Sequence, residues 1–360
     1  MIRTSFIIPV YNRDNHIKNT LEALNQLIVN DERDMYEVIV IDDGSDKPIY
    51  NSIKGINRNY ELKYVYLERN ADSCLSRARN TGWRMAQGKL IVFIDSDIIV
   101  KEDYLKEVYR YYNYSENILL LGTRLMLQND VQVESILNKS LFTTKLFTGN
   151  NYHVFENRYL LFNKYSYNAS CLKYPWLKVY GCNLIVPKDF LQKIGGFDEN
   201  FKGWGLEDVE FGYRCYKNGL KILVNSRIEV FHQYHGDGTD YIKENQLPLY
   251  RKNIDYFINK YPEVLHESRE FIFDVFEGKK DAEFNLVNKS SEVKIINFKH
   301  EEQIHSIKEI ILKYANESGN EIIINDCVEN TDIDVWIQLL GVKNSTPKYF
   351  ITSRKDFSVN

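Results

Sequence analysis

Cysteine is scarce and unpatterned in this chain. The five cysteines (Cys74, Cys171, Cys182, Cys215, Cys327) form no Cys-x-x-Cys pair and leave an odd one over. That fits reduced thiols rather than a disulfide framework. Long hydrophobic runs are missing too, since no stretch reaches the roughly 20 apolar residues needed to span a bilayer. The opening "MIRTSFIIPVYNRD" has only a short apolar run that stops at Pro9. It lacks the combination of charged region, long apolar core and small-residue cleavage site that marks a secretory signal. The expectation is a cytoplasmic chain with no transmembrane segment, with peripheral membrane association and oligomeric state left open. Nor does one sign of charge dominate: 46 Lys and Arg stand against 50 Asp and Glu, a net charge of −4. With a pI near 6.0, there is no long-range electrostatic footprint for a nucleic-acid backbone, and no nucleic-acid partner is expected. Internal repeats and low-complexity tracts are absent as well.

What is present reads as an ordered globular protein, with 44% hydrophobic and 27% charged residues. Its 360 residues allow one large domain and a smaller one. Through the first third, short β-branched runs alternate with helical patterns, the signal for a parallel sheet with crossover helices. "TSFIIPV" precedes "DNHIKNTLEALNQLIV", where Ile17, Leu21, Leu24 and Ile28 recur at helical spacing. "YEVIVID", "LKYVYL" and "KLIVFID" follow as strands, with a helix over "SRARNTGWRMAQG" that Gly88 would end. "YEVIVID" and "KLIVFID" are apolar nearly throughout, as strands covered on both faces are. The stretch from about 130 to 180 is aromatic-rich and resists assignment. "GCNLIVPKDFLQKIGGF" reads as strand, turn and helix, "EDVEFGYRCYKNG" as a helix closed by Gly219, and about 240 to 278 as helical again. After the polar "DAEFNLVNKSSE" a new alternation begins ("VKIINF", "EEQIHSIKEIILKYA", "EIIIND", "DVWIQLL", "KYFIT"), which reads as a small second α/β unit.

In an open parallel sheet, ligands bind beyond the carboxyl ends of the strands. Here those ends carry Pro9, Tyr11 and Asn12; then Asp42 and Asp43 in "DDGS"; then Asp95 and Asp97 in "DSD". An Asp-x-Asp alone is weak, and the chain holds a second at Asp332 and Asp334, which reads as surface or capping. "DSD" differs because it closes a buried-looking strand, where two carboxylates are costly unless hydrated, hydrogen-bonded or bound to a cation. Simpler roles stand beside these: Pro9 ending a strand, Asp42 and Asp43 forming a turn, Arg79 as a solvated helix residue, Glu207 and Asp208 capping a helix. "FHQYHG" places His232 and His235 three positions apart after the apolar alternation of "KILVNSRIEV".

Five segments, "SFIIPVYNR", "VIVIDDGS", "ARNTGWRMAQGKLIVFIDSD", "GCNLIVPKDFLQKIGGFDENFKGWGLEDVEFGYR" and "VFHQYHG", occur in the order and spacing of GT-A fold family 2 glycosyltransferases. "GWGLED" and "FH" most resemble the chondroitin polymerase and β-1,4-galactosyltransferase branch. The resemblance covers about residues 3 to 240. It implies a Rossmann-like, mostly parallel sheet flanked by helices, with a GT-A domain over 1–280 and a small C-terminal α/β domain of unknown role over 281–360. Within the first, the nucleotide-binding half would take about 1–125 and the acceptor half about 126–280.

The implied activity is an inverting, metal-dependent transfer of a hexose or N-acetylhexosamine from a UDP-sugar to a glycan or peptide acceptor. By resemblance Asp97 is a metal ligand, with Asp95 and Ser96 beside it nearer the ribose, and His232 is the ligand from the far side. Mixed oxygen and imidazole ligation favours Mn²⁺, with Mg²⁺ as the alternative. Asp43 resembles the carboxylate that accepts from the uracil imide; Pro9, Tyr11 and Arg13 line the same pocket, and Arg79 contacts phosphate or uracil. Trp204 offers a flat face to a pyranose ring, and Gly203 and Gly205 would let the backbone approach the sugar. Asp208 is the implied general base, with its charge supported by the helix N-terminus, and Glu207 positions the acceptor. Gly181 and Asn183 fall where the family approaches the donor sugar. His235 matches no family position and is expected to be a bystander. Leu206 stands where the branch usually has glycine, which leaves donor identity open. The alternatives are a retaining enzyme of the polypeptide GalNAc-transferase type, disfavoured by "ED" in place of "EN", and a catalytically silent sugar-nucleotide or glycan-binding subunit.

Overall fold

The computed structural model describes residues 3–29, 35–143, 155–165, 167–172, 174–235, 246–264, 292–298, 309, 312, 320–326 and 332–341. Four strands come from the first hundred residues: β1 (Thr4–Val10), β2 (Tyr36–Asp42), β3 (Glu61–Tyr66) and β4 (Leu90–Ile94). They run parallel, with β1 between β2 and β4, and β3 beyond β2. β1, β2 and β4 are buried along their whole length, so their runs are apolar without alternation. β3, at the edge, is half-exposed and carries Glu61 and Lys63, charges that discourage further strand pairing.

Next in chain order come β5 (Ile98–Ile99), β6 (Ile118–Leu121), β7 (Arg124–Met126), β8 (Asn183–Pro187), β9 (Lys221–Val224) and β10 (Val230–His232). β8 is antiparallel to both β4 and β6, and the seven-stranded sheet has the order β3-β2-β1-β4-β8-β6-β9. β5, β10 and β7 make a separate three-stranded sheet. The helices up to Lys260 are, in chain order, α1 (Asp14–Asn25), α2 (Tyr50–Ile53), α3 (Leu75–Met85), α4 (Tyr104–Tyr112), α5 (Val133–Leu137), α6 (Ser140–Thr143), α7 (Tyr159–Lys164), α8 (Lys188–Ile194), α9 (Glu207–Lys217) and α10 (Leu247–Lys260). α3 packs on β1 and β2. The mostly parallel α/β architecture expected from the alternating pattern is met.

Several boundaries differ from the sequence reading, each for a local reason. α1 stops at Asn25 and leaves Ile28 46% exposed, because the Ile28 N–H donates to the Glu102 carbonyl at 2.9 Å instead of continuing the helix. α3 stops at Met85, ahead of Gly88. The next free N–H groups are captured by strand side chains, Gln87 by Glu37 Oε1 at 2.5 Å and Gly88 by Ser5 Oγ at 2.9 Å. Pro9 does not end its strand: it lies within β1, beyond Ile7, the last residue of β1 in register with β4, where its missing N–H takes no ladder bond from that neighbour. "KILVNSRIEV" is not one strand but two, β9 and β10, separated by a short 3-10 turn at Ser226–Ile228 and assigned to different sheets.

The chain divides into two compact units, one of Met1–Asn157, Trp176–Leu220 and Asn225–Asp281, the other of Arg158–Pro175, Lys221–Val224 and Ala282–Asn360. In the second, β11 (Glu292–Phe298) and β12 (Asn320–Asp326) pair in parallel, and "DVWIQLL" falls in a helix, α11 (Ile333–Leu340). Buried Gln338 of α11 exchanges hydrogen bonds with the Val224 backbone, accepting at 2.8 Å and donating at 2.9 Å. Asp332 stands at the N-terminus of α11 with Asp334 in its first turn. "DAEFNLVNKSSE" apart from Glu292, "KYFIT", and "EEQIHSIKEIILKYA" apart from Glu309 and Leu312 lie outside the described residues. Among the described residues no helix is long and apolar enough to cross a membrane.

Candidate active site

The two aspartates that close β2 have different fates. Asp42 is consumed internally: Oδ1 accepts from Ser45 N at 2.8 Å, and Oδ2 from Ile49 N at 3.0 Å and the Tyr64 hydroxyl at 2.6 Å. It builds the turn. Among the described residues, Asp43 accepts only on Oδ2, from Arg69 Nη1 at 3.2 Å, while its Oδ1 is buried with no partner. Burial raises its pKa, against the opposing charges of Arg69 and Arg77. Arg69 also stacks over Tyr11, 4.0 Å from the ring centre. Tyr11 and half-buried Arg13 follow β1 directly.

A second cluster forms where β4 ends. Ser96 is buried, and its carbonyl accepts from Thr20 Oγ1 at 2.9 Å. The next residue, Asp97, faces two imidazoles: its Oδ2 lies 3.7 Å from His232 Nε2 and 3.9 Å from His235 Nε2. These separations are too long for hydrogen bonds. One ligand atom from each of the three residues lies within 4.8 Å of the others. The small sheet creates the meeting, because β10 pairs with β5 so that His232 stands opposite Ile98, and Gln233 N donates to the Asp97 carbonyl at 2.9 Å. His232 Nδ1 is 3.1 Å from the Gln233 carbonyl. A carbonyl there assigns the proton to Nδ1 and leaves the Nε2 lone pair toward Asp97. Among the described residues, Asp97 Oδ1 is buried without a partner. A carboxylate with unspent acceptor capacity beside two imidazole nitrogens is a donor set that fits a divalent transition metal. His235, expected to be a bystander, therefore belongs to the cluster. His16, which the sequence reading did not single out, backs it with its ring 6.3 Å from that of His235.

The third group lies at the start of α9. Arg79, 2% exposed on α3, donates from Nη2 to Asp95 and from Nη1 to Glu207, both at 3.1 Å. It is a buried bridge between "DSD" and "GWGLED", not a solvated helix residue. Gly181 is required beside it, because a Cβ there would come within 2.6 Å of the guanidinium. Asp208 accepts from Gly181 N at 3.1 Å and from Val209 N at 2.8 Å. Burial raises the pKa of Glu207 to about 7, with Asp208 adding to the shift and Arg79 opposing it. Burial raises that of Asp208 as well, again against Arg79. The helix N-terminus is thus outweighed, and both carboxyls move toward the range where a general base works best near neutrality.

Trp204 is 46% exposed, with its ring centre 5.7 Å from that of Tyr250 on α10. The space left by Gly203 and Gly205 is taken by α10, by Leu249 and Tyr250, rather than left for a sugar. Asn253 clamps this loop, donating to the Lys202 and Gly205 carbonyls at 3.0 Å each. Asn183 is spent on the core: it accepts from Tyr104 at 2.7 Å and donates to Ile228 and Thr123 carbonyls. No sequence periodicity points to Asn253, since its partners lie some fifty positions away.

Two family models match in succession: "Glycosyl transferase family 2" over residues 5–172 and "N-terminal domain of galactosyltransferase" over residues 164–236. The validoxylamine A glucosyltransferase of Streptomyces hygroscopicus subsp. limoneus is 27% identical over 73% of this chain and 58% of its own length. The chondroitin synthase of Escherichia coli is 29% identical over 64% of this chain and 34% of its own. The chain thus spans less than two thirds of these relatives. The solved structure of S. aureus TarS 1-349 aligns with a TM-score of 0.49 and 18% identity, covering 77% of this chain and 69% of that one. Both models run through the site residues from β1 to His235, so over residues 5–236 the chain is similar to family 2 glycosyltransferases and to the N-terminal domain of galactosyltransferase.

Proposed function

We propose that the chain is an inverting, metal-dependent transferase that moves a hexose or N-acetylhexosamine from a UDP-sugar to a hydroxyl of a glycan or peptide acceptor. One observation carries this reading: Arg79 ties Asp95, two residues from the Asp97–His232–His235 cluster, to Glu207, next to Asp208. Groups for the donor diphosphate and for the acceptor hydroxyl are thereby held in one site.

Asp97, His232 and His235 would hold the cation, Mn²⁺ in preference to Mg²⁺ because imidazole is part of the set. When bound, it supplies Lewis-acid stabilisation of the negative charge that builds on the departing diphosphate. Asp43, with its spare acceptor, suits the uracil imide N–H, and Tyr11 and Arg13 border the same strand ends. Asp208 takes the proton of the acceptor hydroxyl as that oxygen bonds to the anomeric carbon and the bond to the nucleoside diphosphate breaks. The proton ends on Asp208 and the electron pair on UDP, and a single displacement inverts the anomeric centre. Glu207 and Trp204 orient the acceptor. Turnover of UDP-sugars with added Mn²⁺, read by mass spectrometry, tests the assignment; Asp97→Ala retaining full activity sinks it. NMR of the product's anomeric proton tests inversion, and a retained configuration contradicts the single displacement.

A further inference from the structure

Asp43 presents two carboxylate oxygens in unequal states. Oδ2 is taken by Arg69 Nη1 at 3.2 Å, and the same nitrogen donates to the Asp43 carbonyl at 3.0 Å. Oδ1 is shielded from solvent and has no partner among the described residues, an acceptor whose demand is unmet. Arg69 is itself held: it follows β3 closely, where Leu67 N bonds the Asp42 carbonyl at 2.8 Å, and its guanidinium lies 4.0 Å over the Tyr11 ring. A carboxylate with both oxygens free matches guanine, whose N1–H and N2–H₂ form a parallel pair of donors. One with a single free oxygen matches uracil, which has one N–H between two carbonyls.

We propose that Arg69 determines base selectivity by occupying Asp43 Oδ2, so that the site accepts a base with one imide N–H and rejects guanine. The inference rests on the uridine-nucleotide reading above and adds a residue to it. Guanine at this site leaves its second donor facing a guanidinium, a buried mismatch worth about tenfold to a hundredfold in affinity. Cytosine, with a lone pair at N3, is refused by Asp43 itself whether or not Arg69 is present. Removing Arg69 therefore changes the UDP-to-GDP ratio far more than the UDP-to-CDP ratio.

Calorimetric titration of UDP, GDP and CDP into the full chain with Mn²⁺ present tests this. Arg69→Ala is the main variant; its side chain is 48% exposed, so the fold tolerates the change. Arg69→Lys keeps a donor for Oδ2, and Arg77→Ala removes a nearby cation that acts on Asp43 through its charge. Wild type is expected to prefer UDP over GDP by at least about tenfold. Arg69→Ala loses most of that preference through a gain in GDP affinity, while Arg69→Lys and Arg77→Ala keep it. A wild-type ratio in Arg69→Ala overturns the proposal, as does an equal change in Arg77→Ala. If wild type binds none of the three nucleotides, the donor-site reading falls and takes the inference with it; UDP binding with a ratio indifferent to Arg69 removes the inference alone.

Discussion

Glu207 and Glu210 sit one turn apart at the start of α9, both buried, and the fold treats them in opposite ways. Glu210 receives Arg214 Nε at 2.8 Å and Nη2 at 2.9 Å, Lys260 Nζ at 2.8 Å and the Tyr261 hydroxyl at 2.6 Å. Glu207 receives one nitrogen of Arg79, whose other terminal nitrogen serves Asp95. The first carboxylate is neutralised several times over and anchors α9 to α10. The second, with Asp208 beside it, is left short of compensation, so burial lifts both toward neutral pH. A buried charge that is fully paired works as a fastener, whereas one held short of full pairing keeps proton affinity available for chemistry.

Breaking each side separately sharpens the contrast. The largest effect is expected from Asp208→Asn, which removes the base: turnover falls by about 10²- to 10⁴-fold, while the unfolding free energy does not drop, because a like charge leaves the Arg79 cluster. Steady-state kinetics and urea titration read the two quantities. Glu210→Ala reverses the pattern, since it strands Arg214 and Lys260; unfolding stability falls by about 3–5 kcal/mol with UDP affinity unchanged in the folded fraction. The pH profile comes next. A base acts only when deprotonated, and burial raises Asp208, so activity is lost as pH falls through a value above the ordinary aspartate pKa of about 3.9. An acid limb at or below that value in kcat against pH contradicts the assignment. Smallest is Leu206→Gly. Leu206 adopts φ 75 and is 2% exposed. Glycine relieves a left-handed backbone cost of about 1–2 kcal/mol but forfeits roughly 1.5–3 kcal/mol of side-chain burial. The terms nearly offset, and a melting shift of only a few degrees is expected.

The parts legible from sequence were those written in short-range pattern. β1, β2 and β4 announced themselves as apolar runs, and the polar residues at their ends marked the site because ligands gather at the carboxyl ends of parallel strands. The unequal roles of Asp42 and Asp43 could not be read, since both are turn-forming aspartates until Ser45, Ile49 and Tyr64 spend the first. Arg79 could be read as a phosphate or uracil contact or as a solvated helix residue, but not as the tie between Asp95 and Glu207, because Glu207 is 128 positions away. His235 joined the cluster only through the pairing of β10 with β5, a contact between two- and three-residue strands too brief to leave a periodic trace. Gly203 and Gly205 suggested room for a sugar, but α10 fills it.

Mn²⁺ binding, followed by the loss of the free-ion paramagnetic resonance signal with UDP present, tests the account most directly. Wild type should take up the ion saturably at one site, and Asp97→Ala, with its fold intact by circular dichroism, should lose that uptake. Equal Mn²⁺ affinity in the two proteins would contradict the claim that Asp97 and the facing histidines form the cation site.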